Sequence, residues 1–264
     1  MKIVVCMKQV PDTTEVKLNP ETGTLIREGV PSIINPDDKA GIEAALQIKE
    51  QLPGTEVTVI SMGLPQVDVA MRECMAMGAD RTILLTDRPL GGADTWATSS
   101  TISAALKKMD YDLIICGRQA IDGDTAQVGP QIAEHLSIPQ VSYVESIEEV
   151  MEDYLVVRRQ FEDRYHIIEV ALPCVITTLS ELNVPRYMSV GGVFDAYREK
   201  EVEIWNLETI KDTVDMSSIG LKGSPTRVVK SGTKEVKGKG EIFETDANES
   251  VDIIIDKLSA RHII

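Results

Sequence analysis

The chain has 264 residues, which at roughly 150 residues per domain predicts one or two domains. Its 43% hydrophobic content is enough for an ordinary core, while 27 Lys and Arg against 42 Asp and Glu leave a net charge of −15. That balance excludes a general nucleic-acid binder, whose affinity depends on cations neutralising phosphates, and two Trp, six Tyr and three Phe are too few for a base-stacking platform. The opening Met1-Lys2-Ile3-Val4-Val5 run ends at Lys8, too short for a secretory leader. No stretch approaches the roughly 20 apolar residues of a membrane span, so a cytoplasmic protein is expected.

Short apolar runs bounded by turn residues predict strands at residues 2–7, 56–62, 81–86 and 111–116. Between them, a 3.6-residue period predicts helices at 36–51, 66–77, 95–109 and 125–136. In the first helix Ala40, Ile42, Ala44, Ala45, Leu46 and Ile48 form a broad apolar face. This alternation predicts an α/β fold with a doubly wound, mostly parallel sheet. Residues 16–18 and 24–27 flank Asn19-Pro20-Glu21-Thr22-Gly23, the composition of a hairpin turn after the first strand. Beyond residue 140 the period changes, and residues 142–150, 154–159, 165–170 and 175–179 predict an antiparallel β extension. Lys222-Gly223-Ser224-Pro225 and Val236-Lys237-Gly238-Lys239-Gly240 have linker composition. The chain is therefore expected to divide into an α/β nucleotide-binding domain, residues 1–222, and a linker with a C-terminal arm, residues 223–264. In the arm, residues 250–259 predict an amphipathic helix with Val251, Ile254, Ile255 and Leu258 on one stripe. A short helix behind a polar linker cannot bury such a stripe by itself, so docking on another chain is expected.

Cys6, Cys74, Cys116 and Cys174 lie far apart with no C-x-x-C pair, and His135, His166 and His262 form no H-E-x-x-H motif, so no metal site is expected. Cys6 and Cys116 each end a β-branched run and read as small buried hydrophobes. Neither G-x-G-x-x-G nor G-x-x-x-x-G-K-[ST] occurs. The informative segments are loops at the carboxyl ends of the predicted strands, where open α/β sheets bind ligands. Gly117-Arg118-Gln119-Ala120-Ile121-Asp122-Gly123-Asp124-Thr125-Ala126-Gln127-Val128 runs from the strand at 111–116 into a helix. In it Gly117 allows close backbone approach and Gly123 can take positive φ. Asp124 or Thr125 can cap the helix, whose free N–H groups would then face an anion. Asp122 and Asp124 suit tying down the loop or accepting from ribose hydroxyls, and Arg118 is the local cation.

Asn35-Pro36-Asp37-Asp38 has the order N-cap, first-turn proline and two first-turn carboxylates. Gly91-Gly92-Ala93-Asp94-Thr95-Trp96-Ala97-Thr98-Ser99 opens another helix with hydroxyls that can donate to phosphate, and Lys8-Gln9-Val10-Pro11-Asp12-Thr13 ends the first strand. Each is also what an ordinary βα turn or capped helix looks like. In a doubly wound sheet all four share one rim, which points to a single extended ligand.

Val5-Cys6-Met7-Lys8-Gln9-Val10-Pro11-Asp12, Asn35-Pro36-Asp37, Met77-Gly78-Ala79-Asp80-Arg81, Gly117-Arg118-Gln119-Ala120-Ile121-Asp122-Gly123-Asp124 and Asn183-x-Pro185-Arg186-Tyr187 together resemble the electron-transfer flavoprotein β subunit, nearly from end to end. The resemblance implies an adenine-nucleotide hydrolase-like α/β domain dimerised with an α subunit, onto which the C-terminal segment crosses. It implies a structural AMP in the mitochondrial branch of the family, or a second FAD in the anaerobic, electron-bifurcating branch. Val10-Pro11-Asp12-Thr13 and Gly92-Ala93-Asp94-Thr95-Trp96-Ala97-Thr98-Ser99 resemble the latter. By that resemblance the adenylate contacts Cys6, Lys8, Asn35, Pro36, Asp37, Asp38 and Met62, together with Gly117, Arg118, Gln119, Ala120, Ile121, Asp122, Gly123, Asp124, Thr125, Ala126, Gln127 and Val128. The pyrophosphate and flavin end adds Asp94, Thr95, Ala97 and Thr98.

The implied activity is that of one subunit of an NADH-linked flavin oxidoreductase. NADH gives a hydride to the β-subunit FAD; one electron passes through an α-subunit flavin to a partner dehydrogenase, and the other reduces ferredoxin. The family's dehydrogenase-recognition loop falls on residues 183–196, where Asn183, Pro185, Arg186 and Tyr187 match. The basic run that follows in the mitochondrial branch is replaced by Ala196-Tyr197-Arg198-Glu199-Lys200-Glu201. An acyl-CoA dehydrogenase is the implied partner, with a flavin-dependent lactate dehydrogenase as the alternative. Flavin carries the redox chemistry, so no catalytic acid, base or nucleophile is expected in the chain itself.

Overall fold

Lys2-Ile3-Val4-Val5-Cys6 carries apolar side chains on both faces, as a parallel strand covered by helices on both sides requires. In the computed structural model, which describes residues 1–12, 17–18, 25–26, 31–226, 238 and 240–264, these residues form β1 (Lys2–Cys6) near the middle of the sheet. Two units are present, Met1–Val228 and Val229–Ile264.

In the first unit β1 is followed by β2 (Gln9–Pro11), β3 (Lys17–Leu18), β4 (Leu25–Ile26) and β5 (Ser32–Ile34). Then come α1 (Pro36–Gln51), β6 (Glu56–Met62), α2 (Asp68–Met77), β7 (Arg81–Leu85), α3 (Thr95–Leu106), β8 (Leu113–Gly117) and α4 (Val128–Leu136). The second half adds β9 (Gln140–Val150), β10 (Tyr154–Gln160), β11 (Tyr165–Ala171), β12 (Cys174–Thr178), α5 (Val190–Arg198), β13 (Glu203–Trp205) and the single turns α6 (Leu207–Ile210) and α7 (Gly220–Gly223).

The main sheet has the order β11-β10-β9-β12-β8-β1-β6-β7-β13. β1 pairs in parallel with β6 on one side and β8 on the other, with Cys6 opposite both Ile60 and Cys116. Alternate residues of each strand serve opposite layers. Ile3 and Val5 pack with Ile42 and Ile48 of α1 and Met71 and Cys74 of α2, whereas Val4 and Cys6 pack with Ile102 and Leu106 of α3 and Ile132 of α4. The chain builds outward from β1 through β6 to β7, then returns to place β8 on the other side of β1. That reversal makes the gap beyond β1 and β8 the topological switch point of a doubly wound sheet.

β9, β10 and β11 form the expected antiparallel extension. β12, expected to join it in antiparallel fashion, instead inserts parallel between β9 and β8. All five of its residues are buried, and an apolar run carries no information about strand direction. β3 and β4 pair as the predicted hairpin; its turn residues 19–23, together with Thr13 and the linker residues Val236, Lys237 and Lys239, lie outside the described residues. The helix predicted from residue 125 begins at Val128, because Asp124 and Ala126 take left-handed φ values of 50° and 52°. Neither Asp124 nor Thr125 is therefore its cap. The second half of the predicted recognition loop is also helical, as α5. No helix of the described residues is long and apolar enough to cross a membrane.

In the second unit α8 (Ala247–Ser259) starts earlier than residue 250 because Asp246 caps it, accepting from the N–H groups of Asn248 and Glu249. Val251, Ile254 and Ile255 are exposed along its length.

Candidate functional site

Pro36 at the first position of α1 sets Asp37 and Asp38 in its first turn, beside the ends of β1 and β8. Asp38 is buried, and its two oxygens accept from the Lys8 N–H at 2.8 Å and the Gly117 N–H at 2.9 Å. Burial pushes the Asp38 carboxyl up to about 7 despite those hydrogen bonds. Asp37 faces the other way, accepting from the Ser180 N–H at 3.0 Å and pairing with Arg118 at 3.3 Å. Burial raises its carboxyl, and the Arg118 guanidinium opposes the rise. The close approach that Gly117 permits is to Asp38: a Cβ there would lie 2.1 Å from Asp38 Oδ1 and 2.8 Å from its backbone nitrogen.

Asn35 occupies the N-cap position of α1 but makes no capping bond. Its amide instead donates to the Gln119 carbonyl at 2.8 Å and accepts from the Ile121 N–H at 3.1 Å, pinning the loop that follows β8. Lys8 Nζ holds both Asp122 oxygens, at 2.6 and 2.9 Å, and Gln119 donates to Asp124 at 2.9 Å. Both loop aspartates thus tie the loop down. Gly123 does not take the expected positive φ, and a Cβ there would meet open space.

These elements enclose a cavity of about 310 Å³ at the switch point, the size of a small ligand pocket. Cys6, Lys8 and Met62 line it from the strand ends and Asp38 from the first turn of α1. Gly117, Arg118, Gln119, Ala120, Gly123, Thr125, Ala126, Gln127 and Val128 line it from the loop, and Asp94, Thr95 and Thr98 from the start of α3. Asn35, Asp37, Asp122 and Asp124 are not in the wall and act on it through the bonds just given; Pro36 and Ile121 do not line it either, and Ala97 is fully buried. Sequence reasoning missed Met7, Ile102, Cys116 and Gly129. Two could have been found: Ile102 lies one turn after Thr98, and Cys116 is the register partner of Cys6.

Asp94 caps α3 by accepting from the Ala97 N–H at 3.0 Å, and its other oxygen accepts from the N–H and hydroxyl of Thr226. Burial raises the Asp94 carboxyl, but these bonds outweigh it and hold it below the usual range. The Ala97 N–H at this helix start is thus already engaged, and Thr95 and Thr98 line the cavity, with the Thr95 hydroxyl donating to Gln127 at 2.8 Å. Main-chain donors come from the start of α4, at Val128 and Gly129, where no carbonyl lies one turn behind. Two cations border the site, Lys8 as well as Arg118. The walls around Met62, Ile102, Cys6 and Cys116 are apolar. An adenine-type ring against those walls, with phosphate on the donors and cations opposite, fits the residues present.

A larger opening of about 430 Å³ lies at the amino ends of β1, β6 and β7. Three of its cations are paired, Lys2 with Asp110 at 2.6 Å, Arg81 with Glu203 at 2.5 Å and Lys108 with Asp212 at 2.7 Å, as Lys8 and Arg118 are in the switch-point cavity. What sets it apart is its place, at the sheet end where open α/β folds do not bind ligands. Among the described residues no cluster of His, Cys, Asp and Glu could hold a metal ion.

Residues 22–209 match the family model of the electron transfer flavoprotein domain. The chain is 58% identical over its full length to the full length of electron transfer flavoprotein subunit beta of Clostridium acetobutylicum. It belongs to the electron-transfer flavoprotein family. It is also 55% identical to the caffeyl-CoA reductase-Etf complex subunit CarD of Acetobacterium woodii, and 48% to the acryloyl-CoA reductase electron transfer subunit gamma of Anaerotignum propionicum, each match spanning both chains entirely. Within this flavoprotein subunit the segment before α5 is clamped to α1. Arg186 donates to both oxygens of buried Glu43, at 2.8 and 3.0 Å, and to Glu50 at 2.6 Å, while Asn183 donates to the Ala40 carbonyl at 3.0 Å. α5 lies so close to α2 that a Cβ on Gly192 would come within 2.4 Å of the Ala76 carbonyl oxygen. Tyr187, Val190, Phe194 and Tyr197 are left exposed.

Proposed function

We propose that this chain is the β subunit of a heterodimeric electron-transfer flavoprotein that holds FAD in the switch-point cavity, takes electrons from NADH and divides them between ferredoxin and a partner dehydrogenase. The observation that carries the reading is the Thr95 and Thr98 pair at the start of α3, which extends the polar lining beyond the loop at 117–128 toward where a pyrophosphate would continue. A bound flavin supplies the redox chemistry. The chain's own part would be to bind and orient it: Met62 and Ile102 would supply apolar wall for the ring, Lys8 and Arg118, paired here with Asp122 and Asp37, would bring positive charge to the phosphate end, and the first N–H groups of α4 would donate to it. AMP is the second reading, favoured by a volume closer to one nucleotide than to two.

Counting flavin in the purified heterodimer separates these readings: two FAD per dimer support the first, and one FAD with AMP supports the second. The Thr95→Val, Thr98→Val double variant removes the hydroxyls at little cost in volume. Losing hydrogen bonds to a charged oxygen weakens binding by on the order of ten- to a hundredfold. The variant should therefore lose the β-subunit flavin while the other stays. Retention of both flavins, with ferredoxin reduction intact, would reduce this helix start to a structural element.

The names of the relatives favour an acyl-CoA-linked partner over a lactate dehydrogenase. The exposed Tyr187, Phe194 and Tyr197 group is the surface we propose for it, since clustered exposed aromatics mark binding sites. The arm is proposed to dock on the α subunit through the Val251, Ile254 and Ile255 stripe. Truncation after Gly240 should leave the α/β unit folded and weaken association with the α subunit at dilute concentration. Unchanged stoichiometric co-purification would exclude that role.

A further inference from the structure

We propose that Asp38 is a positioning residue of the nucleotide pocket: by holding the Lys8 and Gly117 N–H groups at 2.8 and 2.9 Å, its carboxylate sets the separation of the strand ends between which the ligand lies. The inference rests on the nucleotide reading of the cavity. β1 and β8 pair in register up to Cys6 and Cys116, and beyond that point one N–H from each strand end turns to this carboxylate. The group between them must accept twice. A carboxylate does so with one oxygen for each N–H, whereas an amide would set its own NH2 against one of them. Gly117 completes the arrangement, since any Cβ would occupy the space of Asp38 Oδ1.

The clamp is sensitive to protonation. Burial places the Asp38 carboxyl at about 7, and a protonated oxygen accepts more weakly than an ionised one, so one arm slackens as pH falls through neutrality. Asp37 on α1 is paired with Arg118 from the end of β8, and Lys8 from the end of β1 with Asp122. The strands contribute the Cys6 and Cys116 thiols, and α2 contributes Cys74. A hydrogen bond with Cys6 and burial hold Cys116 well above the usual thiol range, and burial does the same for Cys74.

The test is titration of adenosine into the full-length chain, stripped of nucleotide, from about pH 6 to pH 8. Adenosine is uncharged, so repulsion between a phosphate and Asp38 does not enter. Wild-type affinity should fall as pH drops below about 7. Asp38→Asn should bind about tenfold more weakly at the upper end and show no such slope. A flat wild-type profile, which requires no variant to fold, overturns the clamp. Asp38→Asn with wild-type affinity and slope also overturns it, while leaving the cavity as the nucleotide site. Failure of the wild type to bind either adenosine or AMP overturns the nucleotide reading itself, and the clamp with it.

Discussion

Gly117→Ala should lower stability by about 3 kcal/mol, or roughly 6–12 °C in melting temperature, and strip the chain of nucleotide. Overpacking a close-fitted interior is tolerable when a flexible side chain can move aside. Here the added Cβ meets Asp38 Oδ1 at 2.1 Å, the Asp38 nitrogen at 2.8 Å and Asp37 Cβ at 2.9 Å, so a carboxylate and the start of α1 must both shift. Asp38 cannot retreat without releasing the Lys8 and Gly117 N–H groups, and a buried donor left unpaired adds its own cost. Gly123→Val is the internal control. It lies in the same loop and in open space, so its effect on melting should fall within about 0.5 kcal/mol. Thermal melts of both variants check the pair, and nucleotide content is read on Gly117→Ala, since Gly123 itself lines the cavity. Equal behaviour of the two would mean that the loop's fit against α1 does not govern the site.

Arg186→Met should cost about 2–3 kcal/mol at neutral pH. The figure is set by Glu43, which is 4% exposed and would keep only the backbone N–H of residue 186 and the Gln47 amide as partners once the guanidinium is gone. The lower part of the usual range for breaking a buried pair applies because the Arg186 side chain is 32% exposed and already partly solvated. The pH dependence has a definite sign. Burial alone would raise the Glu43 carboxyl, but the bonds from Arg186 outweigh it and hold it below its ordinary value. A carboxyl lowered in the folded state contributes stability above its unfolded value, and that contribution is lost as pH falls through the lowered one. In the variant the guanidinium's charge and hydrogen bonds are gone while burial and two neutral donors, the residue-186 N–H and Gln47, remain, so the carboxyl rises from its wild-type position and protonation relieves the buried charge. The difference between wild type and variant should therefore be largest near neutrality and shrink toward acid. Urea midpoints at pH 7 and pH 4 measure it; a difference that does not depend on pH would show that Arg186 acts through packing alone. Because the same side chain fastens the segment before α5, the variant should also weaken binding of a partner dehydrogenase if the surface proposed for it, at Tyr187 and Phe194, is the one used.

Much of this protein is determined by local sequence. Period and composition place α1 from Pro36 to Gln51 and β6 from Glu56 to Met62, because a strand buried on both faces and a helix with one apolar stripe each leave a one-dimensional trace. The four loops at the carboxyl ends of strands were legible for the same reason, and they do converge on one cavity. What lay beyond the sequence depends on groups distant along the chain. Asn35 is a good N-cap residue, yet its amide bonds the loop at Gln119 and Ile121, since a loop backbone 84 residues away offers it partners there. Gly117 and Gly123 both stand out in the loop sequence, but only Gly117 is constrained, and the constraint comes from a carboxylate 79 residues distant rather than from the local turn. Asp94 caps α3 through the Ala97 N–H, as a local residue can, but its other oxygen is taken by Thr226 across 132 residues. The parallel direction of β12 likewise depends on where the chain crosses between β9 and β8. Residue type and spacing thus determine the elements and the rim on which the site is built. Only packing decides which polar atoms face the cavity, because each hydrogen-bonding group takes the partner that folding brings to it, and sequence distance carries no record of that choice.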